Sequence, residues 1–233
     1  MAIEVYSIDD LLKVRVQSEF QTTPEMESEI NKIWNLEKQT RPNIFDGMCL
    51  SVKNFQGNSL ECELIPYRYI LAQSRDTRIK TQLQTHSLAV SGAVLYSEAI
   101  VVGKRASSVT QYPGFWELVP SGGIDGSRVA ADGSVDFKGQ LLVELYEELQ
   151  LPAEVVKKIL PISLILDVEQ LVYDICLLIS VSQVSSFQVS NEEYDTLELV
   201  PLKDLSHFLK SSTKIVPTSQ RLADIVLSLP LCL

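Results

Sequence analysis

Residues 114–125, GFWELVPSGGID, and residues 141–152, LLVELYEELQLP, decide how this chain is read. As a helix, the second segment places Glu144, Glu147 and Glu148 three and four residues apart, and so on one face. Like charges at those spacings repel, and near a helix C-terminus the dipole also disfavours anions. The crowding has a use if a hard divalent cation sits among the carboxylates, because Mg²⁺ takes oxygen ligands. The competing reading is a solvated acidic face. On the opposite side Leu141, Leu145 and Leu149, with Leu142 beside them, form an apolar stripe at helical spacing, so the acidic face would stand on a fixed base. Ahead of the helix, Gly122 and Gly123 let the backbone turn sharply and approach a ligand closely.

Strand, glycine pair, loop and glutamate helix together resemble the Nudix hydrolase box, G-x5-E-x7-R-E-U-x-E-E-x-G-U with U aliphatic. Gly123 matches its first glycine, and Glu144, Leu145, Glu147, Glu148 and Leu151 match its E-U-x-E-E-x-x-U core. Val143 stands where the box has arginine and Gln150 where it has its last glycine, while strict spacing would put the first glutamate at Val129. In the family that arginine and that glutamate pair with each other, so both partners of one scaffold contact are missing. The missing glycine would cap the helix in a left-handed conformation; Pro152 offers another stop.

The UDP-sugar-hydrolysing branch of the family has an atypical box of this kind, and the similarity extends to residues 41–52 (RPNIFDGMCLSV), 65–76 (IPYRYILAQSRD) and 91–106. The resemblance implies an α/β protein, a Nudix-type α/β/α sandwich around a mixed sheet. It would comprise a small α+β N-terminal extension over 1–80 and a hydrolase domain over 81–233. It implies Mg²⁺-dependent hydrolysis (Mn²⁺ substituting) of a UDP-sugar to UMP and a sugar 1-phosphate. Glu144, Glu147, Glu148 and the Gly123 carbonyl would be metal ligands, with Gly122 and Gly123 against the substrate. Arg105 would grip the diphosphate with its planar guanidinium, or be a strand-end charge beside Lys104. Arg68, Tyr67 and Trp116 are candidates for uracil or sugar contacts, with core packing the alternative for the two aromatics. Glu192, Glu193 and Asp195 lie where many members place a catalytic loop residue; the general base stays open. Two other functions stay open as well: hydrolysis of another nucleoside diphosphate such as ADP-ribose or a dinucleotide, and a silent nucleotide-sugar binding module.

Composition agrees with a folded domain: 233 residues, 45% hydrophobic and 21% charged. A net charge of -10 argues against a nucleic-acid-binding face, and the anionic groups of the small nucleotide that the resemblance implies as partner would need local compensation. No apolar run reaches the ~20 residues of a membrane helix, and the N-terminus, with Glu4, Asp9 and Asp10, lacks the apolar core of a secretory signal. The four cysteines are scattered without a C-x-x-C pair, which suits a reducing, cytoplasmic setting, and Cys176 reads as a buried thiol. Two histidines, His86 and His207, exclude a histidine-rich zinc site, and His207 falls on an amphipathic helix.

Along the chain, Thr23-Pro24 predicts a helix start and Arg41-Pro42 its stop. Residues 44–72 read as short strands around a turn at 56–58, and the polar stretch 73–84 as a linker. Hairpins are expected from 88–96 with 99–104 and from 162–166 with 171–181, followed by a strand at 196–200. Helices are expected near 202–210 and 219–229.

Overall fold

In the computed structural model, residues 2–109, 111–184, 193–212 and 214–230 are described. The chain runs β1 (Ile3–Tyr6), β2 (Lys13–Glu19), α1 (Pro24–Thr40), β3 (Met48–Gln56), β4 (Ser59–Pro66), α2 (Tyr67–Arg75) and α3 (Thr77–Leu83). It continues through β5 (His86–Tyr96), β6 (Ala99–Arg105), β7 (Trp116–Leu118), β8 (Ser121–Gly123) and α4 (Phe137–Leu149). The last elements are β9 (Val156–Asp167), β10 (Val172–Val181), β11 (Tyr194–Pro201), α5 (Leu202–Ser211) and α6 (Pro217–Ser228). Thr23 caps α1 as its sequence predicts, accepting from the Met26 amide at 3.2 Å.

Strand β5 organises the sheet. One edge pairs in parallel with β10 from Ser87 to Leu95, and β10 pairs antiparallel with β9. The other edge is shared: β3 takes its start, β8 residues 89–91, and β6 its end at the expected hairpin. Splitting one edge among three strands lets the mixed sheet curl. β1 adds to β9, and β3, β4 and β2 extend the sheet on the far side, so residues from both ends of the chain share it.

Helices cover the sheet on both faces. On one, Leu141, Leu145 and Leu149 of α4, all buried, pack with Leu164, Ile175, Leu177 and Ile179. On the other, Leu205 of α5 and Leu222 and Val226 of α6 meet Ala93, Val102, Leu118 and Cys176, which is buried as expected. Burial on both faces explains why β5 and β10 read as nearly continuous apolar runs. A third cluster, with Ile30, Ile65, Tyr69, Ala72 and Ile79, fastens α1, α2 and α3 together.

Two expectations for the N-terminal segment are corrected. The strands end at Pro66, and the following residues form α2 rather than more strand. The stretch expected to be a linker carries the end of α2 and all of α3. Its polarity misleads because Gln73, 5% exposed, is buried with matched partners. Gln73 Nε2 donates to the Thr85 carbonyl at 2.8 Å, and its Oε1 accepts from the Thr85 amide and hydroxyl, each at 3.0 Å.

Asp174 on β10 is a buried acid in the middle of the sheet. Burial pushes its carboxyl up to about 6, against hydrogen bonds from Ser91 and Thr218 that favour ionisation. A folded-state value above the unfolded one means that this group's contribution is fully present below about pH 4 and is lost as pH rises through about 6. Asp174→Asn keeps the shape, and by that linkage it should stabilise the fold by ~2–3 kcal/mol at pH 8 and be near neutral at pH 4. Urea unfolding across that range checks it; a difference that does not vary with pH rejects the cause.

Candidate active site

The glutamate helix begins four residues earlier than residue 141, the first of the segment quoted above, because Asp136 caps it: its Oδ1 accepts from the Gly139 amide at 2.9 Å. It ends on Gln150, which adopts the left-handed conformation itself (φ 55°, ψ 29°). Its amide donates to the Tyr146 carbonyl at 2.9 Å, and its side chain donates to the same carbonyl at 3.0 Å. A glutamine thus does locally what glycine does at most such ends, and the stop precedes Pro152.

Gly122 and Gly123 do not form the expected sharp turn; they lie in extended β8 against β5. Gly122 is needed for proximity instead. A Cβ there would stand 2.3 Å from the carboxyl carbon of Glu144, so only a bare backbone lets that carboxylate lie on the strand. Gly123 is exposed, with open space around its α-carbon.

The three helix glutamates differ in setting. Glu148 is 2% exposed and accepts from the Ser121 amide at 3.2 and 3.3 Å through its two oxygens. Burial, then the charges of Glu117 and Glu193, pushes its carboxyl well above the usual range, and the Ser121 bond only partly offsets this. Glu144 is raised too, by burial first and then by Glu147 and Glu193, while the Gln140 amide and Arg128 act in the opposite sense. Glu147 is exposed at the rim.

Beside them lies a charged cluster of which the sequence pattern points only to Arg105. Glu117 on β7 is 4% exposed; the Arg105 guanidinium donates to it, and the Tyr194 hydroxyl donates to it at 2.7 Å. Tyr194 can reach because its ring crosses Gly103, where a Cβ would come within 2.6 Å of it. Arg105 is held further by its Nε donating to the Gln111 carbonyl at 3.0 Å. It is not a strand-end charge beside Lys104; its side chain is 17% exposed and ion-paired. Burial pushes the Glu117 carboxyl up despite Arg105, which identifies it as a carboxylate short of solvation. The available clue was a lone acid between Trp116 and Leu118 in an apolar strand.

The other candidates scatter. Arg68 sits at the start of α2, bonded to Asp46 at 2.5 Å and Glu27 at 2.9 Å, so both terminal nitrogens are committed to acids. Tyr67 packs edge-on against Trp34, and Trp116 edge-on against Phe208 of α5, on the face away from α4. Glu193 is near enough to act on Glu144 and Glu148, Asp195 points to the surface, and Glu192 lies outside the described residues.

Among the described residues, no three Asp, Glu, His or Cys groups are close enough together to enclose an ion as they stand. The donor set nonetheless fits a hard divalent cation. It is all oxygen, two of its carboxylates are raised first by burial and then by neighbouring acids, and one of them rests in a cradle that a Cβ would fill.

No protein-family model matches this chain, and no curated protein matches it. Among solved structures, Tm1382, a Nudix hydrolase by assignment, superposes with a TM-score of 0.50 at 14% identity over 82% of this chain and 94% of its own. The Nudix domain of Shewanella oneidensis NrtR, solved with ADP ribose, gives 0.44 at 15% identity over 60% and 86%. The Francisella tularensis bifunctional NMN adenylyltransferase/ADP ribose pyrophosphatase, solved with AMP and a Mn ion, gives 0.47 at 14% identity over 69% and 46%. The likeness to Tm1382 shows the fold: a curled mixed sheet between helices, of Nudix type, as the sequence implies. Among the described residues no helix is long and apolar enough to cross a membrane.

Proposed function

We propose that this protein is a Nudix hydrolase that cleaves the diphosphate of a UDP-sugar, UDP-glucose or UDP-galactose, to UMP and a sugar 1-phosphate. The observation that carries the hydrolase reading is the Glu144 carboxylate lying on the bare backbone of Gly122, with buried Glu148 close enough to feel both Glu144 and the Glu117 that Arg105 holds. A protein of net charge -10 that desolvates carboxylates together has a reason to do so if cations join them in use.

Glu144, Glu147, Glu148 and the Gly123 carbonyl would hold Mg²⁺ or Mn²⁺. When bound, the ion neutralises diphosphate oxygens and makes water a better nucleophile at neutral pH. Arg105, held by Glu117 through Nη1 and by the Gln111 carbonyl through Nε, would turn its remaining N–H donors to the negative charge that grows on the phosphates. Glu193, whose charge acts on both Glu144 and Glu148, is proposed to orient the attacking water ahead of the exposed Asp195. Residues 1–80 would form the extension, and the proximity of its 41–47 loop to Asp125 supports a wall that holds the uridine end: a Cβ on Gly47 would lie 3.8 Å from the Asp125 carboxylate. Binding of that non-reacting end orients the diphosphate. Arg68 serves the wall by fixing Asp46 of that loop.

Parallel assays with UDP-glucose, UDP-galactose, ADP-ribose and ADP-glucose, with phosphate release coupled to a phosphatase, test both levels. Preference for a uridine substrate supports the full reading. Preference for an adenine nucleotide overturns the uridine assignment alone, and no hydrolysis of any substrate with Mg²⁺ or Mn²⁺ overturns the reaction.

A further inference from the structure

We infer that Gln140 is a positioning residue that clamps the Glu144 carboxylate at the metal face, with Arg128 as its anchor. The inference rests on the metal-binding reading of Glu144 given above. Gln140 stands one turn before Glu144 on α4 and is 6% exposed, an expensive place for an amide unless every polar atom is used. Its Nε2 donates to Glu144 Oε1 at 2.7 Å. Its Oε1 accepts from Arg128 Nε at 3.3 Å and from the Asp125 amide at 3.4 Å.

The partners fix the orientation of the amide. An ionised carboxylate only accepts, and a guanidinium or backbone N–H only donates. Flipping the amide would set oxygen against carboxylate and NH₂ against two donors. Glutamine is therefore the side chain that joins a donor-rich loop to an acceptor on the helix. Glu144 is held from two sides, by this amide and by the close backbone of Gly122.

The anchor is itself built in. The Asp136 amide donates to the Arg128 carbonyl at 2.9 Å, so Arg128 is tied to the residue that caps α4. Asp125 shapes the short 3₁₀ turn Gly126–Arg128 by accepting from the Ser127 amide at 2.7 Å. The loop after Gly123 is thus fastened to the helix through one buried glutamine. Glu144 is left with few rotamers, and an arriving cation does not have to impose that order.

The test titrates the full-length protein with Mn²⁺ alone, without nucleotide, following free Mn²⁺ by electron paramagnetic resonance and the fold by thermal unfolding. Gln140→Met keeps the volume and removes all three hydrogen bonds; it is expected to weaken Mn²⁺ binding roughly 10-fold or more, the scale of lost outer-shell contacts to metal ligands. Arg128→Ala, on the accessible side of the clamp, should weaken it by about 3-fold, and Arg128→Lys should recover part of that, because lysine keeps a donor but not the fork. If Gln140→Met does not fold, the two Arg128 variants carry the test. Folded variants whose Mn²⁺ affinity stays within about twofold of the parent overturn the clamp and leave the metal reading standing. A parent that binds no Mn²⁺ overturns both. A parent that binds Mn²⁺ yet hydrolyses no nucleotide overturns the proposed reaction, while the clamp is still decided by the shift in affinity.

Discussion

Glu148→Gln is expected to lower Mg²⁺-supported turnover of a nucleotide sugar by roughly 10²–10³-fold, because a neutral amide neither offsets a cation's charge nor strengthens water as a nucleophile. The same change should raise the stability of the metal-free protein at neutral pH. Glu148 is buried, and its carboxyl is held well above the usual range, first by desolvation and then by Glu117. A raised folded-state pKa means stability is lost as pH rises through it, so the gain from glutamine should grow from pH 4 upward and vanish in acid. Glutamine can still accept from the Ser121 amide, so the local fold survives. Glu147→Gln should cut turnover on the same scale with little effect on stability, since Glu147 is exposed. Steady-state rates at saturating Mg²⁺, with urea unfolding in a chelator, decide both. Near-parental turnover in either variant removes that residue from the ligand set.

Arg105→Ala is expected to have two effects that must be separated. It leaves Glu117 buried without its cation, which on the scale of broken buried ion pairs costs ~3–5 kcal/mol. It also removes the donors proposed for the diphosphate and should lower kcat/KM by about 10²-fold. In the double variant Arg105→Ala with Glu117→Gln, the neutral amide no longer needs a counter-charge, so most of the stability should return while kcat/KM stays low. Arg105→Lys should recover only part, because the fork geometry is lost. A double variant with parental kcat/KM would make Arg105 a structural partner of Glu117 and no more.

Periodicity carried much of the architecture. The stripe of Leu141, Leu145 and Leu149 and the Thr23-Pro24 start mark α4 and α1, and the apolar runs of β5 and β10 are strands covered on both faces. Where pattern misled, local chemistry was hidden by partners distant in sequence. Gln73 and Thr85 satisfy each other twelve residues apart, so a segment that looks solvated is packed. Gly122 and Gly123 suggested a turn because glycine permits one, yet Gly122 is required by the approach of Glu144 from another element.

The site divides in the same way. Helical spacing alone places Glu144, Glu147 and Glu148 on one face, since 3.6 residues per turn is a property of the backbone. No spacing rule could bring Glu117 of β7 to Arg105 of β6 and Tyr194 of β11, or Gln140 to Arg128 across a loop. These contacts exist because β6 pairs with both β7 and β11, and because Asp136 and Arg128 close the loop onto the helix. By itself, then, the amino-acid order determined the acidic face, the apolar base beneath it and the type of fold. Which carboxylates lose their water, and which cation answers them, only the tertiary structure decided. Desolvation and Coulomb energy depend on distances between elements that local propensity does not encode.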